Sequence, residues 1–576
     1  MEIDKEAKIE KLIKIVSVFG IAFCCLLLFP QARIFIIEIG EKILGRSLNF
    51  NKFLKVIIWY SLFGILLFCS ILISTIKAVQ WLSEKYGNKI FILCSIFIVI
   101  LSIIVRIVMY IKSRSLWGDE AALAESIVSR NWFELLIPPL SNMQSAPFLY
   151  VIVVKAICSI IGYSEFSLRV FSLFAFICFL ISETILLKKV LKFNNFKISL
   201  VVTISTLLPS YIFYSNEFKP YLNDALFVIL TMLTYHYYTQ GKIKLPVLTI
   251  LYILFLGFST PSIFFIGGVI FLEFLFAIFN KNKKKILSTA ISGIVVIAVF
   301  GLYYYWWMLP VLEPMKEYWD RSFSLQKSIV DILTIFSPGK GNSDSFFVMI
   351  FVPFALMGLY LLSKDKDKIA LSVVLSLLFA FLASAIGYWP MTGRLWLFLP
   401  AIVLIFSPIG IDHFHDKINC KRITYTMEFC IFTTMIIFLA INCIGYTGDK
   451  MYYINEEINP LIYYVQRNIK EDEKLYVYPY AKTAFEFKNG YNISKIGNTE
   501  KDNIVYGKNR HEWNESVLGN ELQLILENKK IYLIFSHHKA TGINIGNGLE
   551  VLQNYGTLTK VMEVYDTPLY YFERED

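Results

Sequence analysis

The chain has 576 residues, 56% of them hydrophobic and 17% charged, with a formal net charge of +10. Soluble globular domains carry about 25% charged residues, so a single soluble core is excluded, as are a disordered chain, a coiled coil and a simple secreted domain. Apolar runs of roughly 17–25 residues, each long enough for a bilayer core of about 30 Å, predict instead a polytopic α-helical membrane protein.

In chain order the runs fall near 13–37, 54–76, 89–111, 148–162, 168–187, 198–213, 222–239, 245–259, 262–280, 286–307, 346–363, 369–389, 395–411 and 423–446. The first follows a charged start, is long and lacks a small-residue cleavage site, so it reads as an uncleaved span. The run 148–162 is short, carries Lys155 near its middle and follows Pro138, Pro139 and Pro147. A charge at mid-bilayer costs about 2.5–3.5 kcal/mol, which favours an interfacial position for this run. With 148–162 set aside, the basic gaps all face the cytoplasm, as the positive-inside rule requires. These gaps hold Lys188, Lys189, Lys192 and Lys197; Lys242 and Lys244; the clusters 281–285 and 364–368; and Lys417, Lys421 and Arg422.

The expectation is about thirteen spans, amino terminus inside and carboxyl tail outside. Gap 39–53, with Lys42, Arg46 and Lys52, runs against the charge rule. No basic domain accompanies the clusters, so they mark topology and not a nucleic-acid partner. The nine cysteines lie in or near apolar runs, and neither a disulfide framework nor a metal spacing is read from them.

Four domains follow: amino-terminal spans 1–111; an external acidic-pair loop with juxtamembrane helices, 112–167; a membrane core 168–446 with an external loop 308–345; and a small extracytoplasmic α/β domain, 447–576. In the tail, Lys474–Tyr478 and Lys530–Phe535 read as buried strands, with helical patterns near 456–470 and 515–528. Segments 112–147, 214–221 and 308–345, the turn 390–394 and the tail are expected to share the external face.

The most informative segment is Ser115–Arg130, where Asp119 and Glu120 open a helical pattern just past a bilayer exit. Unpaired N–H groups and the helix dipole favour a carboxylate there, which could take a proton from a bound hydroxyl. An isolated Asp-Glu at a helix start is more simply a cap worth about 1 kcal/mol. A second polar site on the same expected face shifts the balance. It is Tyr214–Asp224, where Glu217, Lys219, Tyr221 and Asp224 crowd a span junction and Pro220 suits the first helical position. Arg394 lies at another outer end. Cations on the outer face oppose the usual bias and suggest a bound anion, with snorkelling to headgroups as the plainer alternative.

These residues resemble the GT-C superfamily of polyprenyl-phosphate-sugar-dependent glycosyltransferases, in its protein O-mannosyltransferase and aminoarabinose-transferase branch. The resemblance rests on Trp117–Glu120, Ala146–Tyr150, Gly162–Arg169, Ser215–Tyr221 and Gly393–Pro400. It implies a GT-C-type fold in a bacterial plasma membrane, an external site, a polyprenyl-phosphate sugar donor in the membrane lipid, an extracytoplasmic acceptor (glycan, lipid or protein) and an inverting transfer of one monosaccharide. Asp119 would be the base, and Glu120 would orient the acceptor or a neighbouring cation. Glu217, Lys219, Tyr221 and Arg394 would hold the donor, with Trp117, Asp224 and Tyr305 as candidate sugar or acceptor contacts. No cofactor is assigned, a divalent cation stays open as a candidate, and no metal-ligand set is read. The family usually has Arg where Lys219 stands, so a bidentate fork becomes a point charge. The match begins at the third span, which leaves two amino-terminal spans without a role.

Smaller signals add little. Ser337–Asn342 lacks the full phosphate-loop spacing and reads as a flexible turn. His413 and His415 lie in an expected cytoplasmic turn, and His537 and His538, after the strand Lys530–Phe535, have no paired carboxylate or Cys cluster to complete a metal site. Glu183 and Glu273 lie within apolar runs, where they either line a cavity or reach water at a span end. Asn492 and Asn514 match the glycosylation acceptor pattern, which is common by chance. Tyr303–Trp307 is first an interface belt and secondly a sugar-stacking surface. Two rival functions remain. A transporter or lipid-linked glycan flippase would need midplane charges and repeat symmetry, neither of which is clear. A glycan polymerase or ligase would use a diphosphate-linked oligosaccharide and differ in product length.

Overall fold

The computed structural model describes residues 2–44, 50–314, 346–390, 393–418, 426–437, 456–489, 495–496, 499–500, 503–508, 518–536, 538, 544–565 and 567–575. The segment 315–345 with Ser337–Asn342, tail residues 447–455, Asn492, Asn514 and His537 lie outside the described residues.

Among the described residues, six helices are long and apolar enough to cross a membrane: Lys77–Lys112, Glu165–Val190, Ser262–Phe279, Lys283–Leu312, Lys368–Ala385 and Phe398–Lys417. They turn large apolar side chains outward, with Leu93 68% and Ile297 70% exposed. Rows of this kind suit hydrocarbon and not water. The run 13–37 departs from the expected single span. It divides into Lys8–Leu26 and Pro30–Ile39, bent by 89°. Pro30 supplies the reason: it has no N–H to give back to the preceding turn and disfavours helical geometry at Phe29. Counted as one crossing, the bent pair makes a seventh span. About thirteen spans remains a proposal that needs shorter apolar helices such as Asn195–Leu207, Leu245–Phe258, Phe351–Lys364 and Thr426–Ile437 to cross as well.

The chain forms two compact units. The first comprises Met1–Val108, Ser172–Tyr303 and Lys316–Tyr452. Here Ser262–Phe279 packs against Lys368–Ala385 and Lys283–Tyr303, and Phe346–Lys364 packs against Phe398–Ile418. The last pair is very close. A Cβ on Gly410 would lie 2.1 Å from the Phe354 carbonyl oxygen, and one on Gly358 would lie 2.2 Å from that of Phe406. Without a hydrophobic drive between helices in lipid, such small residues supply van der Waals contact. Glu273 is buried within its span but bonds Tyr235 Oη (2.7 Å), Lys285 Nζ (2.6 Å) and Lys368 Nζ (3.1 Å). It therefore fastens two basic helix starts and has a structural occupation.

The second unit comprises Met109–Phe171, Tyr304–Met315 and Tyr453–Asp576. Its tail forms a five-stranded mixed sheet with strands β1 (Lys474–Val477), β4 (Ile504–Tyr506), β5 (Lys530–Ile534), β6 (Gly556–Val564) and β7 (Thr567–Arg574), in the order β4-β1-β5-β7-β6. A separate pair, β2 (Lys495–Ile496) and β3 (Thr499–Glu500), is antiparallel. β4, β1 and β5 run parallel and need crossover helices, which Lys482–Asn489 and Leu518–Leu526 provide. Leu475, Val477, Ile531, Leu533, Leu569 and Phe572 form the core. β1 and β5 fall where the sequence places them, as do helices Asn459–Asn468 and Leu518–Leu526.

Candidate active site

In the second unit the acidic pair opens helix Gly118–Ser129, with Trp117 in extended conformation as its N-cap. Asp119 is half-buried, as is Trp117, whereas Glu120 is fully buried. The Glu120 carboxylate is gripped by the Arg169 fork, Nε to Oε1 at 2.8 Å and Nη2 to Oε2 at 2.6 Å, with Arg114 Nη2 at 3.5 Å. Arg169 also donates to the carbonyls of Arg114 (2.7 Å) and Ser115 (3.1 Å). One guanidinium thus fixes both the approach to the motif and its third helical residue, a geometry that a planar five-donor fork supplies and an ammonium does not.

The other end of this helix is fastened too. Phe148–Ile161 has 14 residues, about 21 Å at 1.5 Å per residue and short of a bilayer core. Its Lys155 is buried and donates to the carbonyls of Ile127 (2.5 Å) and Arg130 (2.8 Å). The charge behind the expected interfacial position is a cation at the C-terminus of helix Gly118–Ser129, where the dipole favours it. Lys482–Asn489 of the tail packs on the same acidic helix. Trp307 anchors the aromatic cluster, its Nε1 donating to the Ala146 carbonyl at 2.8 Å, while Tyr305 is 72% exposed.

The first unit holds the other candidate residues. Helix Asn195–Leu207 stops at Leu208, whose ψ of 122° is the extended conformation expected before Pro209, and Pro209–Tyr214 follows as a separate short helix. The next helix begins at Tyr221, with Pro220 one position earlier than the sequence suggests, as its N-cap. Between them Lys219 N–H donates to the Glu217 carbonyl at 2.8 Å, and Ser172 Oγ donates to the same carbonyl at 2.7 Å. Glu217 (1% exposed), Lys219 (3%) and Asp224 (4%) are all buried. Asn216 Oδ1, Asn223 Nδ2 and Asp224 Oδ1 have no hydrogen-bond partner among the described residues.

Arg394 reaches this junction from far along the chain: its guanidinium lies 5.7 Å from the centre of the Tyr221 ring, which in turn packs edge-on against Tyr214. The Arg394 turn, Gly393–Trp396, is held by buried Trp396, whose Nε1 donates to the Pro390 carbonyl at 3.1 Å. Tyr211 Oη donates to the Leu397 carbonyl at 3.0 Å. Arg106, absent from the sequence reading, is fully buried, donates to Ser215 Oγ (3.1 Å) and the Thr206 carbonyl (2.8 Å), and stacks on Phe176 at 3.8 Å. A lone Arg six residues before the end of a long apolar helix was its signal. Among the described residues no three His, Cys, Asp or Glu side chains are grouped to hold a metal ion.

The fold and the two residue sets describe a polytopic helical membrane protein that carries buried charge at helix ends and a small mixed-sheet domain. Two crystal structures of ArnT from Cupriavidus metallidurans are similar to it. The apo form has 9% identity over 82% of this chain and 97% of that chain, at a TM-score of 0.49. The form bound to undecaprenyl phosphate has 8% identity over 84% and 98%, at a TM-score of 0.47. No family model matches the chain. No curated protein matches it.

Proposed function

We propose that the protein is a membrane glycosyltransferase of GT-C type that moves one sugar from a polyprenyl phosphate to an acceptor outside the cytoplasm. The observation that carries this reading is the junction of the first unit: Glu217, Lys219 and Asp224 buried where helix Pro209–Tyr214 gives way to helix Tyr221–Thr239, with Arg394 drawn over Tyr221. Buried charge is costly in a bilayer and marks function. A cation pair with neighbouring polar groups suits a phosphate and a sugar.

In the proposed reaction an acceptor hydroxyl oxygen bonds to the anomeric carbon as the bond from that carbon to the phosphate oxygen breaks, with inversion. The bonding pair leaves with the polyprenyl phosphate, and the hydroxyl proton passes to the Asp119 carboxylate. Lys219 and Arg394 stabilise the charge that grows on the departing phosphate. Glu217, Tyr221 and Asp224 hold the sugar, Trp117 and Tyr305 contact sugar or acceptor, and Glu120 acts through Arg169 as a positioning residue.

The test is turnover of purified protein with a panel of polyprenyl-phosphate sugars, read as transfer or slow donor hydrolysis. Replacing Asp119 with Asn should lower turnover by about 10²–10⁴ with donor binding retained. Unchanged turnover of a genuine donor would sink the assignment.

A further inference from the structure

Ser115, two residues before Trp117, has all of its backbone and side-chain polar groups engaged. Its N–H donates to Glu457 Oε1 (3.1 Å), its Oγ donates to Glu457 Oε2 (2.8 Å), and its carbonyl accepts from Arg169 (3.1 Å). The same Oγ accepts from the Asn459 N–H at 3.0 Å. Ser115, Glu457 and Asn459 are all buried, at 1%, 9% and 8% exposure. Glu457 and Asn459 lie at the entry to the sheet domain and are themselves fastened. Glu457 N–H donates to Thr567 Oγ1 at 3.1 Å on the first residue of β7, and Asn459 Nδ2 donates to Glu165 Oε1 at 2.9 Å.

An unbroken chain of short contacts therefore runs from the sheet through Thr567, Glu457 and Ser115 to the backbone that carries the acidic pair. Resting on the transferase reading above, we infer that Glu457 and Asn459 are positioning residues for the reaction, and that the sheet domain sets the place of Trp117–Glu120 through Ser115. Glu457 holds two donors of one residue with both its oxygens, which fixes direction as well as distance. A displacement of about 1 Å in such a support can cost on the order of 10²-fold in rate.

The test compares full-length wild type with Glu457→Ala, Glu457→Gln, Asn459→Ala and the control Tyr571→Phe, which removes a hydrogen bond to Glu473 elsewhere in the same domain. Two readouts are taken: amide hydrogen exchange at 115–122, which needs no donor, and kcat and KM for a polyprenyl-phosphate sugar. Glu457→Ala should speed exchange at 115–122 roughly tenfold and leave β1 and β5 protected, with kcat down about 10- to 100-fold and donor KM within about twofold. Gln, which keeps one acceptor oxygen, should fall between wild type and Ala, and Tyr571→Phe should match wild type. Unchanged exchange at 115–122 overturns the inference, and so does a loss of kcat that Tyr571→Phe shares. If the wild type turns over no donor, the transferase reading fails while exchange still decides whether Glu457 positions the motif.

Discussion

Arg169 shows how much of the acidic site depends on one side chain, since it grips Glu120 twice and two carbonyls beside it. Removing one partner of a buried ion pair leaves the other charge uncompensated, at about 3–5 kcal/mol. Thermal unfolding should therefore show Arg169→Ala destabilised on that scale. Arg169→Lys should recover only part of the loss, because an ammonium cannot span both carboxylate oxygens and both carbonyls. If Lys restores the wild-type midpoint, the fork is not what holds Glu120. The Asp119-Glu120 pair was legible because a carboxylate at a helix start has a local signature. Arg169 closes a motif that the sequence displays, but the assignment of its partner is not local. Glu457 was not legible at all: a Glu near the entry of a polar tail reads as a solvated surface group until the fold brings it to Ser115.

Among elements, apolar length was easy to read and breaks were not. Hydropathy averages over direction, so 13–37 and 198–213 each look continuous, although Pro30 and Pro209 turn the chain within them. The strands divided along similar lines: β1 and β5 are continuous apolar runs, whereas β6 alternates part-buried and exposed residues and carries too little apolar signal to stand out. Lys155 gives an element-scale prediction. Its two bonds to carbonyls at the end of Gly118–Ser129 are charge-assisted, so Lys155→Met should destabilise by about 1.5–3 kcal/mol and speed amide exchange in the last turn of that helix. Equal exchange in the variant would show the cap to be dispensable. The Gly410 contact gives another: a methyl group must push helix Phe398–Ile418 away from the Phe354 carbonyl. Gly410→Ala should cost about 1–3 kcal/mol, seen as a lower unfolding midpoint in detergent.

On the scale of the whole molecule, the membrane class followed from composition, whereas the membership of each compact unit did not. Segments 109–171, 304–315 and 453–576 belong together through contacts between residues hundreds of positions apart. One titration reports on this unit. Burial first pushes the Glu457 carboxyl above its ordinary value of 4.5, against the opposing pull of the Ser115 hydrogen bonds and the charges of Arg114 and Arg169. A carboxyl that binds its proton more tightly when folded adds stability at low pH and loses that contribution as pH rises through its folded-state value. As pH rises above 4.5, the unfolding midpoint of wild type should fall relative to that of Glu457→Gln. A constant difference would mean that Glu457 does not titrate in this way.

The place of β7 in the sheet has a consequence for assembly. β7 lies between β5 and β6 and begins with Thr567, the residue that secures Glu457. The link from Thr567 to Glu457 spans 110 positions and that from Glu457 to Ser115 spans 342. Contacts of such separation carry the largest loop-closure cost and form late. A chain whose final hairpin has yet to insert therefore displays its acidic helix without the brace behind it. If the proposed transfer is this protein's reaction, competence would then arrive as the last stage of maturation, and a partly built molecule would be idle instead of indiscriminate.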